Sequence, residues 1–270
     1  MPGPSPAAEF RNIVQVAHEL ADLSGPVTLK YFRKPTPVDN KAQGGLYDPV
    51  TQADRGAEKV IARALAARFP NDTVIGEEFG TKEGSSNFQW VIDPIDGTRS
   101  FIHGSPLWGT LIGVLKDRRP YFGLMDQPFT GERFWSDEKT SRYSRSGGRA
   151  QKLKTRSCAR IEDAVLTSTH PDLFEGRERL AVLEKLKATA RLTRYGGDCY
   201  GYCLLAAGHV DLIIESDLKP YDIVALIPIV ERAGGRVTTW TGSDASQGGD
   251  IIASGDPHLH EAALKLIDRR

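Results

Sequence analysis

The residues best suited to chemistry cluster around one short segment, Asp93-Pro94-Ile95-Asp96-Gly97-Thr98. It follows the apolar run Trp90-Val91-Ile92, so it leaves the end of a strand. Pro94 fixes its own φ and keeps Asp93 extended, and Gly97 permits a tight turn. Such a turn can bring two carboxylates and a backbone carbonyl toward one point. Two bare carboxylates about 4 Å apart repel by roughly 4 kcal/mol at an effective dielectric of 20. A hard divalent cation removes that repulsion and prefers oxygen ligands. An Asp-Gly pair taken alone is also ordinary turn chemistry, with Asp93 as a cap.

Two more acidic sites bear on that choice. Gly76-Glu77-Glu78 follows the strand-like Thr73-Val74-Ile75 and reads either as a strand-end site or as a solvated loop. Asp48-Pro49-Val50-Thr51-Gln52-Ala53-Asp54 opens a helix, with Thr51 as N-cap and Asp54 at N3 in the manner of a capping box. A helix start can present a carboxylate to a site while it caps.

The elements that must position these groups follow from periodicity. A first helix carries Phe10, Ile13, Val14, Ala17, Leu20 and Ala21 on one face, and Gly25-Pro26 should kink or interrupt it. A loop spans Lys34 to Leu46, and a second helix runs from Thr51 to about Phe69. Leu107–Leu115 and Tyr121–Met125 flank Lys116-Asp117-Arg118-Arg119 as a hairpin that Phe134-Trp135 extends. Polar Ser141–Lys154 is the expected seam between two lobes of one domain, 1–146 carrying the metal-binding groups and 147–270 the substrate-binding groups. In the second half, helices are expected over Arg177–Ala188, Tyr200–Ala207 and Asp222–Ala233, with strands at Leu192–Arg194, Val210–Ile214, Arg236–Trp240 and Asp250–Ala253. Asp256-Pro257 opens the last helix as N-cap and N1. Strands and helices in layers give an α/β or α+β sandwich.

The motifs Asp48-x-Val50-Thr51-x-x-Asp54, Gly76-Glu77-Glu78, Asp93-Pro94-Ile95-Asp96-Gly97-Thr98 and Tyr221-Asp222 together resemble the inositol monophosphatase family, in order and rough spacing, from the first helix to Gly234-Gly235. The resemblance implies a layered αβαβα sandwich, a homodimer, and lithium-sensitive hydrolysis of a small phosphate ester with two to three Mg2+ per active site. It assigns Glu77, Asp93 and the Ile95 carbonyl to a first magnesium, Asp93, Asp96 and Asp222 to a second, and Glu77 with waters to a third. Asp54 and Thr98 would orient the attacking water, the Gly97 and Thr98 N–H groups would contact phosphate, and Lys41 would be the family's loop lysine. Ser100, where the family often has Asn, and Tyr221, where it often has Trp, depart from the pattern without touching a proposed ligand.

For the alcohol, the family places its substrate loop at Tyr195-Gly196-Gly197-Asp198-Cys199-Tyr200-Gly201-Tyr202, with Glu215 closing the same pocket. Ionised Asp198 and Glu215 accept hydrogen bonds and suit a cationic or donor-rich ligand. Asp198 also reads as an N-cap. The Gly-Asp-Cys-Tyr arrangement resembles the histidinol-phosphate phosphatase branch, whose substrate carries an ammonium and an imidazole. A polyol such as inositol phosphate, or a nucleotide 3′-phosphate, is the alternative ester. A non-catalytic, partner-binding relative is the alternative class.

Composition narrows the remaining classes. Lys+Arg and Asp+Glu both number 35, so a nucleic-acid coat or membrane-surface protein is not expected. The apolar run Ile223–Val230 is too short to span a bilayer, and the N-terminus has no secretory pattern, so the expected compartment is cytoplasmic. Three cysteines, Cys158, Cys199 and Cys203, suit buried thiols better than zinc or disulfides. No G-x-x-x-x-G-K-S/T loop supports an ATPase.

Overall fold

The computed structural model describes residues 5–35, 37–40 and 49–268. The chain runs through α1 (Pro6–Leu29), a small hairpin of β1 (Val38–Asn40) and β2 (Pro49–Thr51), and α2 (Gln52–Arg68). There follow β3 (Thr73–Gly76), β4 (Gly80–Lys82), β5 (Phe88–Asp96), α3 (Thr98–His103), β6 (Gly109–Lys116), β7 (Arg119–Gln127), β8 (Glu132–Ser136), β9 (Ser141–Arg145) and β10 (Gln151–Lys152). The second half holds β11 (Val165–Ser168), α4 (Arg177–Thr189), β12 (Leu192–Tyr195), α5 (Asp198–Ala206), β13 (Leu212–Leu218), α6 (Pro220–Ile223), α7 (Leu226–Ala233), β14 (Arg236–Thr239), β15 (Gly249–Ser254) and α8 (Pro257–Asp268).

The strands form two large sheets, one ordered β10-β9-β8-β7-β6-β5-β3-β4 and the other β12-β11-β13-β15-β14. Alternation of side chains along the first sheet serves two cores at once. Trp90, Ile92, Ile112, Val114, Phe122 and Leu124 pack against Phe10, Ile13, Leu20, Ile61 and Leu65 of α1 and α2. Leu111 and Met125 face the other way, onto α5 and α7, which also meet Ile213, Val237 and Ile251 of the second sheet. The far face of that sheet is covered by α4 and α8 through Leu183, Leu186, Leu259 and Ala263. The layers are therefore α1/α2, first sheet, α5–α7, second sheet, α4/α8: an αβαβα sandwich, as the resemblance implies.

Three expectations need correction. Pro26 does not interrupt α1, which is continuous across it. The Thr28 hydroxyl donates to the Gly25 carbonyl at 2.9 Å within that last turn, and Gly25 is buried against Pro128, so packing holds the helix through its proline. Ser141–Lys154 is not a seam after residue 146: β9 pairs with β8, and β10 pairs with β9 through Gln151↔Tyr143, so the first sheet continues to Lys152. Polar alternation there reflects an edge strand with one solvated face. The helix expected over Asp222–Ala233 is two helices, broken at Val224-Ala225.

That break fits a notch in the first sheet. Gly113 and Gly123 are partners on adjacent strands β6 and β7. A Cβ on Gly123 would collide with the Ala225 carbonyl, and one on Gly113 would lie 2.9 Å from the Ala225 nitrogen. The paired glycines thus let the backbone of the break settle directly on the sheet, which fixes where α6 and its Asp222 stand.

Candidate active site

The last turn of β5 is built around a bulge. Asp93 pairs with Leu111 and Asp96 with Gly109, with a register shift between them. In a regular strand, residues three apart point to opposite faces, and the extra residue brings them to one side. Side-chain and backbone bonds fix the distortion. The Thr110 hydroxyl donates to the Pro94 carbonyl at 2.8 Å, the Ile95 N–H to the Asp93 carboxylate at 3.0 Å, and the Thr98 hydroxyl to the Ile95 carbonyl at 3.1 Å. Gly97 then turns with φ 86°, and a Cβ there would meet the Leu107 carbonyl at 3.0 Å and the Asp198 side chain at 3.1 Å. Only glycine fits that turn.

One carboxylate oxygen from each of Asp93, Asp96 and Asp222 lies within 4.8 Å of the others. Asp222 comes from α6, where the Lys219 N–H donates to its carboxylate at 2.6 Å. Burial first, then the charges of Glu77, Asp96 and Asp222, pushes the Asp93 carboxyl well above the usual range, and Glu77 also shares a hydrogen bond with it. Asp96 is pushed up as well, by burial and then by Asp198 and Asp222, against the opposing pull of the Cys199 N–H.

Glu77 is positioned by a residue that the sequence reading missed. Glu58, buried on α2, accepts from the Glu78 N–H at 2.8 Å and the Phe79 N–H at 3.0 Å, and so ties the turn after β3. A Cβ on Gly76 would collide with the Glu58 carboxylate, which explains that glycine. The signal was present: Glu58 stands one helical turn from Asp54, on the face that carries Ile61 and Leu65 inward.

Asp54 does cap its helix. Its Oδ2 accepts from the Thr51 N–H at 2.9 Å and the Thr51 hydroxyl at 2.6 Å. Its Oδ1 is buried with no hydrogen-bond partner, and burial pushes the carboxyl up to about 6 despite the Thr51 bonds. A buried acceptor without a partner costs free energy unless a ligand satisfies it.

Asp198 and Glu215 approach from the second half. Asp198 is the first residue of α5, at φ 43°, and its Oδ2 accepts from the Ser100 hydroxyl at 2.9 Å rather than capping its own helix. The next N–H, of Cys199, donates to Asp96 at 2.6 Å, so the α5 N-terminus faces the carboxylate cluster. Burial raises Asp198 to about 6. Glu215, on β13, accepts from the Thr169 N–H at 2.8 Å and the Thr169 hydroxyl at 3.0 Å, and burial raises it to about 8. The Tyr202 hydroxyl, another group not anticipated, is buried without a partner, and after burial the charges of Glu215, Asp96 and Asp222 hold its pKa up. Cys199 and Cys203 are buried free thiols. Lys41, like Asp48, lies outside the described residues.

The donor set is all oxygen. Three carboxylates of one sign, with Glu77 bonded to Asp93, fit a hard divalent cation and not zinc, which would call for sulfur or imidazole. An αβαβα sandwich that gathers such a set where β5 meets α2, α5 and α6 defines a class, the metal-dependent phosphatases. Comparison with known proteins makes it specific. The model of the inositol monophosphatase family matches residues 9–270. The chain is 40% identical to the chloroplast bifunctional phosphatase IMPL2 of Arabidopsis thaliana, over 96% of this chain and 76% of that protein. It is 35% identical to a histidinol-phosphatase of Mycobacterium tuberculosis, over 82% of this chain and 85% of that one. An inositol monophosphatase structure from Zymomonas mobilis superposes with a TM-score of 0.85 at 38% identity, over 98% of this chain and 100% of the other. The chain belongs to the inositol monophosphatase family and is a phosphoric monoester hydrolase. No helix among the described residues is long and apolar enough to cross a membrane.

Proposed function

We propose that the protein hydrolyses histidinol phosphate to histidinol and phosphate, using two to three magnesium ions held by Glu77, Asp93, Asp96, Asp222 and the Ile95 carbonyl. Bound magnesium supplies positive charge for the phosphate and a more acidic water. Asp54, through its buried and unpartnered Oδ1, and Thr98 orient the attacking water, while Thr51 holds the other Asp54 oxygen. The Gly97 and Thr98 N–H groups receive the phosphate, and the family resemblance adds Lys41 to them. A homodimer in the cytoplasm completes the reading, with family membership behind the homodimer.

The observation that carries the substrate is the pair Asp198 and Glu215. Among the described residues neither makes an ion pair; their hydrogen-bond partners are Ser100, Thr169 and Ser168. Burial raises both; for Asp198 it outweighs the Ser100 bond and the pull of Arg99, and for Glu215 the bonds from Thr169 and Ser168. A ligand that brings an ammonium and an imidazole adds positive charge where burial leaves both carboxyls raised, and histidinol phosphate does. The similarity to histidinol-phosphatases supports the same choice. The likeness to an inositol monophosphatase favours a polyol phosphate as the second reading.

The test is a magnesium-dependent phosphate-release panel of histidinol phosphate, inositol 1-phosphate and a nucleotide 3′-phosphate, run on the wild type and on Asp198→Asn. A charge-assisted hydrogen bond contributes about 1.5–3 kcal/mol, or roughly ten- to hundredfold in kcat/KM. The substitution should depress histidinol phosphate turnover by that factor and the neutral esters far less. A wild-type preference for inositol phosphate would favour the second reading, and no magnesium-dependent release from any ester would favour a binding protein.

A further inference from the structure

Asp198 adopts a conformation that its own helix does not require. Its φ of 43° lies in the left-handed region, which a non-glycine residue enters at a cost. Two bonds hold it there from outside α5. The Cys199 N–H donates to Asp96, which fixes the backbone, and the Ser100 hydroxyl donates to Oδ2, which fixes the side chain. Ser100 belongs to α3, the short helix that begins at Thr98 directly after the Gly97 turn. One helical turn therefore links the turn that would receive phosphate to the carboxylate that would receive the alcohol. Contact is close enough that a Cβ on Gly97 would lie 3.1 Å from the Asp198 side chain.

We propose that Ser100 is a specificity-determining positioning residue, which acts through Asp198 and rests on the reading of Asp198 as the acceptor for a cationic alcohol. Its hydroxyl occupies Oδ2 and leaves Oδ1 as the oxygen turned to the ligand, at a separation from the phosphate end set by α3. Without the hydroxyl the carboxylate can rotate about its Cα–Cβ bond, and the strained backbone has one tie fewer. Size matters as well as donor character. An amide at position 100 is longer, and the Asp198 side chain already stands against Gly97, so it would drive the carboxylate away from the place a serine gives it.

A double-mutant cycle tests this with full-length protein at saturating magnesium. Ser100→Ala, Asp198→Asn and the double variant are assayed for kcat/KM on histidinol phosphate and on glycerol 2-phosphate, a neutral alcohol ester. Ser100→Ala is expected to lower the preference for histidinol phosphate on the order of tenfold, mainly through KM, as loss of one hydrogen bond to a charged group does. In the Asp198→Asn background the same change should shift the preference less than twofold. Ser100→Thr keeps the hydroxyl and should retain most of the preference, which separates a lost donor from a damaged fold. The proposal is overturned if Ser100→Ala lowers the preference equally with and without Asp198, or depresses both esters alike. If Asp198→Asn abolishes the preference and Ser100→Ala leaves it intact, Ser100 alone is ruled out. If Asp198→Asn itself leaves the preference unchanged, the substrate reading fails and takes the positioning role with it.

Discussion

Two charged clusters are built into the first sheet, and they are opposites. Near α1, Arg133 donates to Asp126 at 2.7 Å, to Asp22 at 2.8 Å and lies 3.1 Å from the His18 ring nitrogen. Each charge there faces its counterpart, and His18 is driven down to about 4 by burial and then by Arg133, so the ring is neutral. At the end of β5, Asp93, Asp96 and Asp222 are all acidic, and their own repulsion adds to burial in raising Asp93 and Asp96. The first cluster is complete as the chain folds. The second makes sense only with something positive added. A fold able to pair its buried charges at one place and leaving them unpaired at another marks the second for function.

Replacement of single residues separates the two most sharply. Asp93→Asn should lower kcat by about a thousandfold or more at saturating magnesium, since under the proposed assignment it would weaken both the charge and the geometry of the ion site. The metal-free variant should melt no lower than the wild type, because one repelling charge is gone. Near-normal turnover would remove the carboxylates from the reaction. Arg133→Met should do the reverse. It leaves Asp126 buried without its partner and should destabilise by about 3 kcal/mol in urea unfolding, with kcat of the folded protein changed less than twofold.

Magnesium itself should act on one cluster alone. Asp54, Asp198 and Glu215 have folded pKa values of about 6, 6 and 8, and Asp93 and Asp96 are also raised. A carboxyl raised in the folded state contributes stability at low pH that is lost as pH climbs through the folded value. The chelated protein should therefore lose stability from about pH 4, the ordinary carboxyl range, up to about pH 8. Saturating magnesium should raise Tm by several degrees at pH 8 and by much less at pH 5; an equal rise at both would contradict the like-charge account. His18 has the opposite sign. Its folded pKa lies below its ordinary 6.5, so the stability it confers is present above that value and is lost as pH falls. His18→Gln should recover about 1 kcal/mol at pH 5.5 and nothing at pH 8, read from urea curves at the two pH values.

Much of this site could be read from the chain because its pieces are local. A proline, a glycine and two aspartates within one strand end announce a turn that gathers oxygen, and Thr51 with Asp54 announces a cap that the structure contains. The layered fold followed from the order of strands and helices. What the sequence hid depends on distant partners. Glu58 looks like any helix glutamate until its bonds to residues 78 and 79 appear. Asp198 passes for an N-cap until Ser100 is seen to hold it. Pro26 suggested an interruption that the continuous α1 does not show, and the unbroken apolar stretch after Asp222 gave no hint of a break, because the cause lies in two glycines on other strands.

Those two glycines have a consequence for the order of events during folding. Asp222 reaches the carboxylate cluster only after Val224-Ala225 is seated on Gly113 and Gly123, so the chain's second half must dock before the site exists. The cation-binding geometry is then largely absent from any transition state that precedes docking. An ion that binds only after the barrier cannot lower it; it can deepen only the native well. Magnesium should therefore leave the refolding rate nearly unchanged and slow unfolding, and the protein's lifetime against heat or proteolysis becomes a function of the free magnesium around it.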